Sequence, residues 1–162
     1  MRRVWVFVVG LVVGGSLVSI GAQNTAPYPT LKVNHVGIAV KDLNEAVKFY
    51  GEKLGFREVI RNPNGQSAYL QVSRETFIEL QQANAERPAG TVTHWGLETD
   101  NIKNAVAALR SRGVMVSEPG APSAFSGGIL ANVNDPTYGR IELTEQPADG
   151  KLRKASESWR QP

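Results

Sequence analysis

Cysteine is missing from this 162-residue chain. Its absence excludes disulfides, thiolate nucleophiles, thiolate metal ligands and a lipid-modified cysteine after the apolar start. Histidine is nearly as scarce, with only His35 and His94. Excess positive charge is also thin: of the formal +3, Arg2 and Arg3 supply two, leaving +1 for the rest. Lys151, Arg153, Lys154 and Arg160 sit in a polar end segment, and no basic stripe is interleaved with aromatics. A nucleic-acid surface is therefore not expected.

One long apolar run is present, at the start. Met1-Arg2-Arg3 is followed by Val4 to Val13 and then by small residues, Gly14, Gly15, Ser16, Ser19, Gly21 and Ala22. A basic tip, a short apolar stretch and small residues read as a secretory signal peptide over 1–22, cleaved near Gly21 or Ala22. Export to the periplasm or the extracellular space follows. Membrane contact is expected only through an uncleaved leader, since 4–22 is nearly long enough to span a bilayer. Residues 23–30, with Pro27 and Pro29, read as an extended linker. Residues 31–146 are long enough for one compact domain, and 147–162 form a polar tail that the reading favours as a short helix docked by Trp159.

The domain repeats itself. His35-Val-Gly-Ile-Ala-Val-Lys-Asp-Leu-Asn-Glu-Ala-Val is echoed by His94-Trp-Gly-Leu-Glu-Thr-Asp-Asn-Ile-Lys-Asn-Ala-Val. Phe77-Ile-Glu79-Leu is echoed by Arg140-Ile-Glu142-Leu. The copies cover 31–82 and 91–146, and each places one histidine near its beginning and one glutamate near its end.

Each copy has the same order of elements. Leu31 to Val40 alternates with period two, as a strand does. Asp42 and Glu45 form a capping-box-like start, Leu43, Ala46, Val47, Tyr50 and Leu54 recur at helical spacing, and Gly55 stops the helix. Phe56 to Arg61, Ser67 to Val72 and Thr76 to Gln81 follow as strands, with a turn at Asn62-Pro63-Asn64-Gly65. After the linker Gln82 to Gly90 come a strand (Thr93 to Thr99) and a helix carrying Ile102, Ala105, Val106 and Leu109. Strands at Val114 to Glu118, Ile129 to Asn134 and Arg140 to Glu145 complete the copy. Ser123 to Gly128 is a small-residue loop suited to covering a pocket. The expected fold is α+β: two βαβββ modules forming a cupped mixed sheet with helices on the outer face.

Strand alternation puts Val36, Ile38 and Val40 toward the helices and His35, Gly37 and Ala39 away from them. The same parity sends His94, Glu79 and Glu142 to the face that carries His35. Tyr69, Gln71, Phe77, Glu98, Asn132 and Arg140 share that face, and Glu98 and Arg140 are suited to pairing across strands. A single strand histidine is more often a hydrogen-bonded structural residue than a ligand. Two, recurring in register with two glutamates, point instead to one divalent cation held by His35, Glu79, His94 and Glu142. Zn, Ni, Co, Mn and Fe(II) all accept mixed nitrogen and oxygen ligands.

The residues just quoted, with Phe49-Tyr50, Leu54-Gly55-Phe56, His94-Trp-Gly-Leu and Asp135-Pro136 ahead of Gly139-Arg-Ile-Glu142-Leu, carry a resemblance. The chain resembles the vicinal oxygen chelate superfamily, the glyoxalase/bleomycin resistance/dioxygenase group, over nearly all of 31–145. The resemblance implies the paired-module cup and a metal at His35, Glu79, His94 and Glu142, as in metal-dependent glyoxalase I and acyl-CoA epimerases. It also implies a lyase or isomerase acting by proton abstraction next to a metal-bound carbonyl of a small oxygenated substrate, with Glu142 or Glu79 as the catalytic base. Related proteins are often homodimers. Where glyoxalase I enzymes generally carry an arginine for glutathione, this sequence has Ala39. The alternatives are an extradiol-type dioxygenase using His35, His94 and Glu142 on iron, or a small-molecule binding or resistance protein of the same fold.

Overall fold

The computed structural model describes residues 28–136 and 139–160. The leader over 1–22 and most of the 23–30 linker lie outside the described residues. No helix among those described is long and apolar enough to cross a membrane.

Strand β1 (Lys32–Val40) ends where the Asp42 side chain accepts the Glu45 N–H and so caps helix α1 (Leu43–Leu54). Gly55, at φ 74°, takes the left-handed turn that ends the helix, and its N–H bonds the Gly51 carbonyl. The chain returns through β2 (Arg57–Arg61), β3 (Ser67–Ser73) and β4 (Thr76–Gln82). The second copy opens with β5 (Val92–Glu98), and Asn101 caps α2 (Ile102–Arg110) through the Asn104 N–H. Strands β6 (Ile129–Asp135) and β7 (Gly139–Glu145) and helix α3 (Lys151–Glu157) complete the order.

All seven strands form one mixed sheet in the order β2-β3-β4-β1-β5-β7-β6. The arrangement is the expected α+β cup. Within each copy the first strand pairs parallel with the last, β1 with β4 and β5 with β7. The copies join where β1 and β5 run antiparallel. On the outer face α1 packs Leu43, Ala46 and Val47 onto Ala68, Leu70, Ile78 and Leu80. Helix α2 sets Ile102 and Val106 against Ala131 and Leu143. Each fully buried Leu or Ile contributes about 1.5–3 kcal/mol, which holds the sheet to α1 and α2.

Two features differ from the sequence expectation. Val114 to Glu118 is not a full strand; only Val116 bridges, to Val133. The Ser117 hydroxyl takes the Asn132 N–H and Arg110 takes the Val116 carbonyl, so groups a ladder needs are already bonded, and Pro119 lacks an N–H. The C-terminal helix is present, but Leu152 and Ala155 dock it rather than Trp159. They pack on Ile60, Tyr69 and Phe77, with Phe125 of the 123–128 loop beside them. Tyr69 and Phe77 share the parity of Glu79, so α3 lies on the inner face, unlike α1 and α2.

Candidate metal centre

The seam between β1 and β5 sets the site. In its antiparallel register His35 stands opposite Gly96, and Gly37 stands opposite His94. A Cβ on Gly96 would collide with the His35 ring, and one on Gly37 would collide with the His94 ring. Each copy thus vacates, two residues after its own histidine, the space that the other copy's imidazole occupies. The parallel pairings complete the set by placing Glu79 beside Gly37 and Glu142 beside Gly96.

The four side chains converge within one chain. His35 Nε2 and His94 Nε2 are 2.9 Å apart. Glu79 Oε2 lies 3.2 Å from His94 Nε2 and 3.8 Å from His35 Nε2, and Glu142 Oε1 lies 3.6 Å from His35 Nε2. Atoms that each sit about 2.1 Å from a shared cation are separated by about 3 to 4 Å. Ligand atoms of His35, His94 and Glu142 all fall within 4.8 Å of one another, a group able to hold a metal ion. All four residues are buried.

Neighbours orient these groups. Asn34 Oδ1 meets His35 Nδ1 at 2.9 Å, and Thr93 Oγ1 meets His94 Nδ1 at 2.9 Å. The residue just before each histidine therefore engages the ring nitrogen that faces away from the cluster. On the first glutamate, Tyr69 donates its hydroxyl to Oε2 at 3.0 Å and Gln81 donates its amide to Oε1 at 2.9 Å. Gln81 is itself held by Arg87 of the inter-copy linker, at 2.8 Å. Glu142 has a looser neighbour, Arg140, at 3.4 Å.

Burial and charge separate the two carboxyls. For Glu79, burial alone would raise the pKa, but hydrogen bonds from His94 and Gln81 outweigh it and hold the group below its usual range. For Glu142, burial dominates and raises the pKa against the pull of His94 and Arg140. Burial, reinforced by repulsion from His94, lowers His35 to about 4, so its ring is neutral at pH 7. Burial and the Glu79 charge push the Tyr69 hydroxyl well above 10, which keeps it a donor.

Other residues assigned to the cup divide. Phe77 packs under α3, and Gln71 bonds the Arg74 and Ala155 carbonyls. Glu98 pairs with Lys32 and Arg153 rather than with Arg140, and Asn132 is exposed. Sequence parity missed Asn34 and Thr93, although a polar residue ahead of both histidines was a visible signal. A cavity of about 300 Å³ opens beside His94 between Val92, Trp95 and Arg140. A larger groove, about 490 Å³, lies between β2 and α3 and contains none of the four converging side chains.

Comparison with known proteins agrees with this fold. The family model of the Glyoxalase/Bleomycin resistance protein/Dioxygenase superfamily matches residues 32–143. The chain belongs to that superfamily. It is 40% identical over 79 residues to the uncharacterized protein YwbC of Bacillus subtilis (strain 168), a match spanning 44% of this chain and 63% of that protein. The chain thus spans less than two thirds of that relative's length. A hypothetical protein of Bacillus halodurans C-125 superposes with TM-score 0.59 at 23% identity, over 73% of this chain and 96% of its own. Methylmalonyl-CoA epimerase from Mycobacterium tuberculosis gives TM-score 0.59 at 23% identity, over 70% and 86%. A Streptomyces coelicolor methylmalonyl-CoA epimerase variant bound to 2-nitronate-propionyl-CoA gives TM-score 0.59 at 21% identity, over 74% and 96%. At these identities the shared property is the fold.

Proposed function

We propose that this chain is an exported, metal-dependent lyase or isomerase of the glyoxalase type, acting on a small oxygenated substrate by removing a proton next to a carbonyl. The observation that carries the reading is the reciprocal seating of His35 against Gly96 and His94 against Gly37, which aims both Nε2 atoms at Glu79 and Glu142. The donor set fits a divalent ion: two imidazoles hydrogen-bonded on their far nitrogens and two carboxyls, without sulfur. Once bound there, such an ion supplies a Lewis acid for a carbonyl oxygen.

The remaining work falls to the chain. Glu79, held by Tyr69, Gln81 and His94, is fixed and acidic, as suits a ligand. Among the described residues Glu142 is less restrained, and its raised pKa makes it the stronger base, so Glu142 takes the substrate proton. Substrate enters through the cavity beside His94, where Trp95 and Val92 supply an apolar wall and Arg140 a cation for an anionic group. Export rests on the Met1 to Ala22 pattern, and a homodimer on habits of the superfamily.

A second reading has one observation in its favour. The trio His35, His94 and Glu142, whose ligand atoms lie within 4.8 Å of one another, is also the two-histidine, one-carboxylate set of iron dioxygenases. Elemental analysis after chelator-free purification, beside a dicarbonyl and catechol panel on wild type and Glu79→Gln, separates the two. One ion per chain, dicarbonyl turnover and its loss in Glu79→Gln are expected. Iron with catechol ring opening that survives Glu79→Gln moves the assignment to the dioxygenase, and no ion at all ends both. Sequencing the N-terminus of the protein recovered outside the cytoplasm tests the leader.

A further inference from the structure

We infer that the C-terminal helix is part of the metal site: Arg153, Glu98 and Asn34 form a relay that fixes the tautomer and direction of His35. This inference rests on the metal reading above and adds the residues that prepare its first ligand. Helix α3 lies beyond the stretch 32–143 that matches the superfamily.

The relay follows from which atoms can donate. Glu98 is buried, and its Oε2 accepts the Asn34 side-chain amide at 2.7 Å. A carboxylate oxygen is an acceptor only, so the Asn34 atom facing it is Nδ2. The other end of that amide, Oδ1, therefore faces His35 Nδ1, at 2.9 Å. An amide oxygen also only accepts, so the hydrogen of the neutral His35 ring resides on Nδ1. That leaves the Nε2 lone pair directed at His94, Glu79 and Glu142, the state a metal ligand requires.

Glu98 needs cations to stay in this buried position. Lys32 Nζ approaches Oε1 at 3.4 Å from β1, and Arg153 Nη2 approaches the same oxygen at 3.5 Å from α3. Arg153 stands next to Leu152, the side chain that anchors α3 among Ile60, Tyr69 and Phe77. Docking of the helix thus sets the cation, the cation holds the carboxylate, and the carboxylate orients the amide. Asn34, Glu98 and Arg153 act as positioning residues, since none of their side chains is among the converging ligand atoms.

The test uses the full chain labelled with ¹⁵N-histidine, metal-free and then titrated with zinc against a chelator. Two-bond ¹H–¹⁵N correlation reads the His35 tautomer directly. Wild type is expected to show a single Nδ1–H form. Asn34→Ala should mix the tautomers and weaken zinc about 10- to 100-fold, the usual cost of losing such a partner. Arg153→Met, at a partly exposed position and so safe for folding, should weaken zinc toward the low end of that range. Arg153→Lys should restore most of the affinity. Wild-type tautomer and affinity in a folded Arg153→Met and Asn34→Ala pair would overturn the relay. If Asn34→Ala does not fold, Arg153→Met with its Lys rescue decides alone. A wild-type chain that takes up no zinc removes the metal reading, while the tautomer spectrum still judges the relay.

Discussion

The imidazole of His94 occupies the space in which a side chain on Gly37 would begin. The same relation holds between His35 and Gly96, so two small residues on the seam decide where both rings lie. Alanine at a strand position normally gains about 0.5–1 kcal/mol over glycine through chain entropy. Here overpacking, worth about 1–3 kcal/mol, wins. Gly37→Ala and Gly96→Ala are expected to lower the unfolding midpoint and abolish stoichiometric zinc uptake, measured by urea titration and elemental analysis. Full zinc binding in either variant would contradict the seating.

Tyr69 joins packing to electrostatics. Its ring lies against Phe77 and Phe125, and its hydroxyl donates to the buried Glu79. Tyr69→Phe keeps the ring and removes one charge-assisted bond, a loss of about 1.5–3 kcal/mol. Urea unfolding of the metal-free protein should show that loss, and chelator competition should show weaker zinc. An unchanged midpoint would mean that Glu79 draws nothing from this hydroxyl.

Acid should destabilise the metal-free protein through His35. Its folded pKa, about 4, lies below the ordinary 6.5, so the unfolded chain binds more protons between those values. Stability from keeping the ring neutral is complete above about pH 6.5 and disappears as pH falls toward 4, at most about 3 kcal/mol. Glu142 opposes this, because a raised carboxyl pKa favours folding at low pH and loses that contribution as pH rises. Urea midpoints at pH 7 and pH 4.5 should fall on acidification, and fall further in Glu142→Gln, where the opposing group is gone. A midpoint independent of pH in both proteins would contradict the assigned burial of His35.

Leu152 is 1% exposed and anchors α3 over Tyr69 and Phe77. Leu152→Ala should cost about 2–5 kcal/mol in urea unfolding. Amide exchange in 151–157 should accelerate as the helix loosens. Exchange rates equal to wild type would place the helix's hold elsewhere.

Much of this was legible from two periods. Strand alternation alone put His35, His94, Glu79 and Glu142 on one face, because a two-residue period leaves no ambiguity once the apolar side is known. Asn34 was hidden from that rule. It alternates with His35, yet the β1 to β5 pairing shifts register between Val33 and His35, and the side chain is buried against the His35 ring rather than on the outer face. Helix α3 was legible only as a short helix in a polar tail; that Leu152 rather than Trp159 docks it depends on Ile60, Tyr69 and Phe77, remote in sequence. Val114 to Glu118 had strand composition, but Arg110 donates to the segment's own Val116 carbonyl and the Ser117 hydroxyl accepts the Asn132 N–H of β6.

The antiparallel meeting of β1 and β5 makes each duplicated half an owner of one imidazole and one carboxyl, but not of a complete cage. Severing the connection within 83–91 would leave fragments of two ligands apiece, with each glycine notch lacking its ring. On the proposed metal reading, tight cation capture would then return only when the fragments reassociate along that strand pair, making zinc itself a reporter of their union.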